Sequence, residues 1–326
     1  MVQNFSIKQY QENDYEVWNT FIGQAKNATF LFHRDFIEYH KDRFQDYSLL
    51  IFEGKKLLAV LPANKVETIL YSHQGLTYGG LIYKEQTKLK TIIAIFKLLL
   101  LFLKEHKIEK VYLKTIPSIY HKKPAEEILY TLFLAKAQLI RRDSLSVIDL
   151  SQENSISKIR KRGCQKGIQK GLVIKEETDF DAFWNEILTP NLLDKHLAKP
   201  AHSLEEIMRL KMCFPENIRQ FNVYYEGNIV AGTTVFESEN VAHCQYISQY
   251  EQEGTLGSLD FLFHHLIKEV FVQKKFFDFG ISNESNGKKL NEGLSYWKES
   301  FGASTVIHDF YEVETANYEL LEGVLV

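Results

Sequence analysis

The feature that most constrains this chain is an order of segments that occurs twice. Residues 47–62 read as an apolar strand, a turn at Glu53-Gly54 and a second apolar strand. Residues 221–236 repeat the pattern with Glu226-Gly227 at the turn. A glycine-bearing tight turn between two β-rich runs is a hairpin signal. Each hairpin is followed by a strand-like segment (69–72 and 241–248), a glycine-bearing loop (74–80 and 251–257), a helical stretch (88–106 and 258–273) and a short strand (110–114 and 276–280). The second of these helices rests on Leu259, Leu262, Phe263, Leu266, Ile267 and Val270, which follow the i, i+3, i+4 rule. Ser258 is its expected N-cap. Leading helices are predicted over 15–25 and 34–44, and again over 180–188 and 204–213. The fold class is therefore α/β (α+β), with two tandem domains, 1–150 and 151–326, each a mixed sheet flanked by helices.

Composition narrows the function. The 326 residues are 45% apolar and 13% aromatic, enough for buried cores and unlike a disordered chain. The net charge of -3 argues against a duplex-binding protein, so no DNA partner is expected. Cys164, Cys213 and Cys244 are odd in number and form no CxxC pair. They read as reduced thiols in a cytoplasm-like compartment, not as a disulfide framework or metal site. No signal peptide is read at the N-terminus. The longest apolar run, 91–103, is interrupted by Lys97 and falls short of the ~20 residues that span a bilayer. No transmembrane segment is expected; the location read is cytoplasmic, near the inner membrane face. There is no Gly-x-Ser-x-Gly elbow, dinucleotide Gly-x-Gly-x-x-Gly, Walker A loop or His-Glu-x-x-His, so acyl-enzyme, nucleotide-hydrolysing and zinc-hydrolase chemistry are not expected.

The order of elements is that of a GNAT core. Three segments of the second half, 243–248, 277–282 and 290–302, resemble the FemAB and BioF2-like acyltransferases. The last holds Asn291-x-Gly293-Leu294 and ends in Trp297-Lys298-x-x-Phe301-Gly302. In the first half, 71–80 also resembles a segment of this group. The resemblance covers most of the chain and is strongest over 221–311. It implies paired GNAT folds, an acyl carrier bound mainly by the second, and acyl transfer by direct attack of an amine. Relatives divide by donor: some use aminoacyl-tRNA to build peptidoglycan bridges, others acyl-CoA. Many serve cell-envelope or surface-polysaccharide synthesis. The long coiled-coil insertion of some tRNA-using relatives is not evident here.

Acyl transfer needs a seat for the carrier's phosphates, stabilisation of an oxyanion and removal of a proton from the amine. Gly254, Thr255, Gly257 and Ser258 suit the first, since glycines let backbone N–H groups approach a phosphate at a helix N-terminus. The same segment also reads as an ordinary strand-to-helix connection. Lys298, through the motif it shares with the resembled group, is the candidate to stabilise developing negative charge; otherwise it is a surface lysine. For the base, His243, Tyr246, Asp260 and Asp278 are candidates. Asp278 lies inside the apolar run 276–279, where a carboxylate needs partners or a task; backbone hydrogen bonds in a turn would also satisfy it. Gln245, Ser282 and Asn291 are candidates to orient substrate, or to cap turns. His264 and His265 read as packing or surface residues.

The acceptor is expected in a cleft between the domains, with Arg43, His73 and Tyr78 as first-half candidates. Tyr78 also reads as a buried support for a tight loop, and Arg43 as part of a charged helix end. A basic run from Lys158 to Lys170, including Arg160, Lys161, Arg162 and Lys166 and no acidic residue, would meet the phosphates of a tRNA, a nucleotide-sugar or a lipid carrier. It also reads as a solvated helix face, and its glycines 163, 167 and 171 would weaken a helix. The function expected is N-acyl transfer with acyl-CoA, acetyl-CoA first, as a co-substrate and no permanently bound cofactor. The acceptor would be an amino sugar, an amino acid or an envelope precursor. The alternatives are an aminoacyl-tRNA-dependent transferase and a non-catalytic GNAT-fold binding protein.

Overall fold

The computed structural model describes residues 5–153, 155–250 and 255–325. Its strands are β1 (Phe5–Gln9), β2 (Leu49–Glu53), β3 (Lys56–Leu61), β4 (Asn64–Val66), β5 (Ile69–Tyr71), β6 (Ile82–Tyr83), β7 (Lys110–Lys114), β8 (Gln138–Asp149), β9 (Val173–Glu177), β10 (Ile218–Tyr225), β11 (Asn228–Glu237), β12 (Val241–Gln249), β13 (Phe276–Ile281), β14 (Asn283–Glu284), β15 (Lys289–Leu290) and β16 (Ser304–Glu314). The α-helices are α1 (Tyr15–Gln24), α2 (Arg34–Ile37), α3 (Leu89–Glu105), α4 (Glu127–Leu134), α5 (Lys158–Gln169), α6 (Thr189–His196), α7 (Leu204–Cys213), α8 (Ser258–His265) and α9 (Glu292–Glu299).

Two compact units divide the chain: Met1–Asp143 with Asn286–Lys288 and Ile307–Val326, and Ser144–Ser285 with Lys289–Val306. The single break expected at 150/151 is thus replaced by breaks inside β8 and inside β16. The reason is a returning strand: Phe310, Tyr311 and Glu312 of β16 lie antiparallel to Lys114, Leu113 and Tyr112 of β7.

In the first unit β2 and β3 form the expected hairpin, with β1 and β6 outside them and all pairs antiparallel. A second set runs β4-β5-β7-β16, with β5 and β7 parallel. The apolar face of α3 (Ile92, Ile95, Phe96, Leu99, Leu103) is buried with Leu49, Ile51, Leu61, Leu70 and Val111 in one core. Each such side chain stabilises the fold by roughly 1.5–3 kcal/mol. The helix expected over 34–44 stops at Ile37 and becomes a 3-10 turn, Glu38–His40, which carries His40 into a parallel stack on His73 with centroids 5.0 Å apart.

In the second unit the order is β8-β13-β12-β11-β10-β9, antiparallel except for β12–β13. The β10–β11 turn has Glu226 and Gly227 both at positive φ, as a tight hairpin turn whose twist matches its strands requires. The basic run does form a helix, α5, capped by the Ser157 hydroxyl. Its glycines are sites of close approach to α8. A Cβ at 163 would come 1.8 Å from Asp260 Oδ2, and one at 167 would come 2.8 Å from Phe261 Cβ. Ser258 is not the N-cap of α8: that place belongs to Gly257 at φ +76, where a Cβ would come 2.3 Å from the Gly163 carbonyl oxygen.

Candidate functional site

The candidate site of the second unit is where β12 and β13 part. The parallel ladder sets Val241, Ala242 and His243 opposite Phe276, Phe277 and Asp278 and ends there. β12 runs on to Gln249, bonded to β11, and β13 runs on to Ile281, bonded to β8. Each strand carries an irregularity at this point. In β12, Val235 faces Cys244 and Thr234 faces Tyr246, so Gln245 is an extra residue. In β13, the register with β8 jumps between Asp278 and Ile281, and Gly280 takes φ +71. Such bulges bend a strand and re-aim its side chains. A gap flanked by strand edges can receive an extended, amide-bearing ligand through main-chain hydrogen bonds.

Three of the sequence-predicted residues meet at this gap. Asp278 is fully buried. Its carboxylate accepts from the Gly280 N–H at 2.7 Å and lies 2.9 Å from His243 Nδ1, which supplies both a partner and a task for a carboxylate inside an apolar run. Lys298 enters from α9. That helix starts at Asn291, whose side-chain oxygen accepts from the Leu294 N–H at 3.0 Å, so Asn291 acts as a cap. Trp297 locks α9 down, its ring 5.4, 5.6 and 5.2 Å from those of Phe263, Phe279 and Phe301. Lys298 is 3% exposed and donates to the carbonyls of Gly280 at 3.1 Å and Ile281 at 2.6 Å, both beyond the last residue of β13 that pairs with β12. Burial pulls its pKa down to about 8, against the opposing charge of Asp278 and the neighbouring Cys244.

Other candidates are occupied differently. The Tyr246 hydroxyl receives the His202 backbone N–H at 3.1 Å and lies 2.7 Å from its Nδ1; burial pushes its pKa up to about 12. Asp260 accepts from Arg160 Nη1 at 2.7 Å, so one cation of the basic run is turned inward. Gly254 lies outside the described residues. Thr255 is exposed. The Ser258 and Ser282 hydroxyls and Gln245 Oε1 are buried with no hydrogen-bond partner among the described residues. They belong to the first residue of α8, the end of β13 and the bulge of β12, and such orphans call for a ligand or water.

Beside the far end of β12 is a cavity of about 430 Å³ lined chiefly by Leu188, Leu192, Ile247, Leu259, Leu294 and Trp297. Asn191 pins α6 there, donating to Ser248 Oγ at 2.8 Å and the Gln249 carbonyl at 2.6 Å. Trp297 carries a signal in the sequence as the aromatic before Lys298; Asn191 and Gly280 carry none, since their roles depend on which strand faces which helix. Among the described residues no cluster of side chains is arranged to hold a metal ion, and no helix is long and apolar enough to cross a membrane.

The first unit repeats the parallel pair but fills its gap. Past Tyr71 opposite Tyr112, the Ser72 hydroxyl accepts from the Lys114 N–H at 2.9 Å and the Gly79 N–H donates to the Lys114 carbonyl at 2.8 Å. Glycine is required at 79 because a Cβ would come 2.0 Å from the Ser72 carbonyl oxygen. Lys114 Nζ donates to the carbonyls of Gln74 at 3.0 Å and Leu76 at 2.7 Å. The first-half acceptor candidates go into this packing. Tyr78 is buried, its hydroxyl donating to Thr29 at 3.1 Å and its ring 4.4 Å from that of Tyr120. His73 is buried against His40 and Phe44; desolvation holds its pKa well below the ordinary value. The Arg43 guanidinium lies 5.4 Å from the Tyr39 ring.

No family model and no curated protein matches this sequence. Solved structures do match. FemX aligns over 97% of this chain and 99% of its own, at 9% identity and a TM-score of 0.66. L-PGS from Bacillus licheniformis aligns over 93% and 92%, at 13% identity and 0.60. A tandem GNAT protein from the clavulanic acid biosynthesis pathway aligns over 96% and 99%, at 11% identity and 0.53. At these identities the likeness is one of fold, and it agrees with the duplicated segment order: this chain has the tandem GNAT, FemAB-like fold.

Proposed function

We propose that the protein is an N-acyltransferase that moves an acyl group from acyl-CoA, acetyl-CoA first, to an amine by direct attack in the second unit. The observation that carries this reading is the buried Lys298 ammonium beside the His243–Asp278 pair at the parted strands. The amine nitrogen bonds to the thioester carbonyl carbon, the C–S bond breaks, and the thiol leaves with a proton. The donor's amide-bearing arm lies between β12 and β13, its acyl end toward His243 and Lys298, with the orphaned Gln245, Ser258 and Ser282 groups as polar partners. Asp278 accepts a hydrogen bond from the Nδ1–H of His243 and so fixes the tautomer whose Nε2 accepts the proton of the attacking amine. The two carbonyls hold two protons of Lys298, and the third is available to the oxyanion. Tyr246 and Asp260 are poorer bases, one tied to His202 and the other paired with Arg160. The acceptor proposed is an amino sugar, amino acid or envelope precursor.

A second reading draws on α5 and its C-cap, which expose Lys158, Lys161, Arg162, Lys166 and Lys170: a polyanionic donor such as aminoacyl-tRNA would meet that face. Thermal unfolding separates the two. Acetyl-CoA, CoA and longer acyl-CoAs raise the unfolding midpoint if they bind the native state, adding about 2.7 kcal/mol at a hundredfold excess over Kd. No shift with any of them, and a shift with aminoacyl-tRNA, would replace the first reading by the second.

A further inference from the structure

The outward face of the first unit's β5-β7-β16 strands gathers aromatic rings at one end, which a solvated sheet surface does not require. Residues alternate between faces along a strand, and here Leu70, Val111, Leu113 and Val313 go to the core. The opposite face is polar at one end, where Lys110 pairs with Glu312 and Glu314 and Glu312 lies opposite Tyr112. Toward the other end it presents Tyr71 beside Tyr112 in register, stacked with centroids 5.1 Å apart and planes 25° from parallel, and then Phe310 opposite Lys114. All three aromatics are only half-buried. A cavity of about 460 Å³ opens on this face, and its charged lining residues are two cations, Lys114 and Arg141.

Both cations are held in place and retain unused donors. Lys114 Nζ gives two protons to the carbonyls of Gln74 and Leu76, which leaves one of its three. The Arg141 guanidinium is pinned 4.5 Å from the Phe310 ring and to Asp143 through Nε and Nη2, which leaves both N–H groups of Nη1. Fixed cations beside an aromatic platform fit a ligand that is flat at one end and anionic at the other. We propose that this face is a second ligand site, taking a phosphorylated compound whose ring stacks on the Tyr71–Tyr112 pair and whose phosphate meets Lys114 and Arg141. It goes beyond the acyl-transfer reading and stands without it, since every lining residue belongs to the first unit.

The ring phosphate has two sources, a nucleotide or a sugar phosphate, and calorimetric titration of the full-length protein distinguishes them. The probes are uridine monophosphate, adenosine monophosphate, glucose 1-phosphate, uridine and inorganic phosphate. At least one ring phosphate should bind about tenfold or more tighter than both uridine and inorganic phosphate, the loss of one stacked ring being worth about that factor or more. Tyr112→Ala and Lys114→Met should each weaken that probe about tenfold or more, while Tyr112→Phe, which keeps the ring, binds as wild type and controls for folding. The proposal is overturned if inorganic phosphate binds as well as every ring phosphate, if no probe binds saturably up to about 10 mM, or if Tyr112→Ala binds unchanged.

Discussion

At the residue scale, the proposed transfer turns on Lys298. Removing a charged donor from a reacting centre typically costs about 10²–10³ in rate, so Lys298→Met should lower kcat/KM by at least that factor while the far-ultraviolet spectrum stays unchanged. Its titration gives a second readout. The folded pKa is about 8 and the unfolded value about 10.4. Between these limits the unfolded chain binds more protons, so the contribution of Lys298 to stability rises with pH. The stability of wild type relative to Lys298→Met, from urea unfolding, should therefore grow between pH 8 and 10; a flat or falling difference would contradict the burial argument. Lys114, also pulled down to about 8 by burial and by Arg141, is present in both proteins and drops out of that comparison. Asp278→Asn should cost about 10²–10⁴ in kcat/KM, the usual scale for a lost or misoriented base.

These residues were legible for different reasons. Asp278 stood out because a carboxylate among phenylalanines demands a partner, and His243 turned out to be that partner. Lys298 stood out only through its motif; nothing in composition separates a lysine 3% exposed from the surface lysines around it. Tyr246 and Asp260 looked equally available in the sequence. Their partners, His202 and Arg160, lie 44 and 100 residues away in the chain, and no local pattern announces contacts of that range.

At the element scale, α5 shows how close packing can outrank propensity. Glycines 163 and 167 argued against a helix, since glycine costs about 1 kcal/mol relative to alanine in a helix interior. The structure uses them to let α8 approach. Gly163→Ala should therefore destabilise despite its better propensity, by roughly 1–3 kcal/mol, the range for overpacking, because the new methyl meets a carboxylate already fixed by Arg160. Chemical denaturation gives the sign; a stabilised variant would show that α5 and α8 are not packed this closely. Long periodic elements are legible in the sequence: the spacing predicts a helix over 88–106, and α3 spans Leu89–Glu105. The helix expected over 258–273 ends at His265 and continues as a π-helical turn, Leu266–Val270, which keeps its apolar side buried and leaves no mark in the i, i+3, i+4 spacing.

At the scale of the whole molecule, the duplicated segment order revealed two units, but not that the first is completed by the end of the chain. β16 pairs with β7 across some two hundred residues of sequence, and a register of that range follows from tertiary packing, not from local propensity. A chain truncated after Val306 should consequently lose order in the first unit. Trp18 reports on it, being fully buried with its indole N–H donating to the Phe32 carbonyl at 2.8 Å. In a Trp184→Phe, Trp297→Phe background, truncation should shift Trp18 emission to the red; an unmoved spectrum would mean the first unit folds without β16.

The proposed reaction is transfer of an acyl group from CoA to an amine by the second unit, at Lys298 and His243. The most direct measurement is thiol release from acetyl-CoA and longer acyl-CoAs, with and without a panel of amino sugars and amino acids, by wild type and by Lys298→Met. Release by the wild type should be amine-dependent and should fall by at least about 10² in the variant. Release from no acyl-CoA with any amine, or equal release by both proteins, would contradict it.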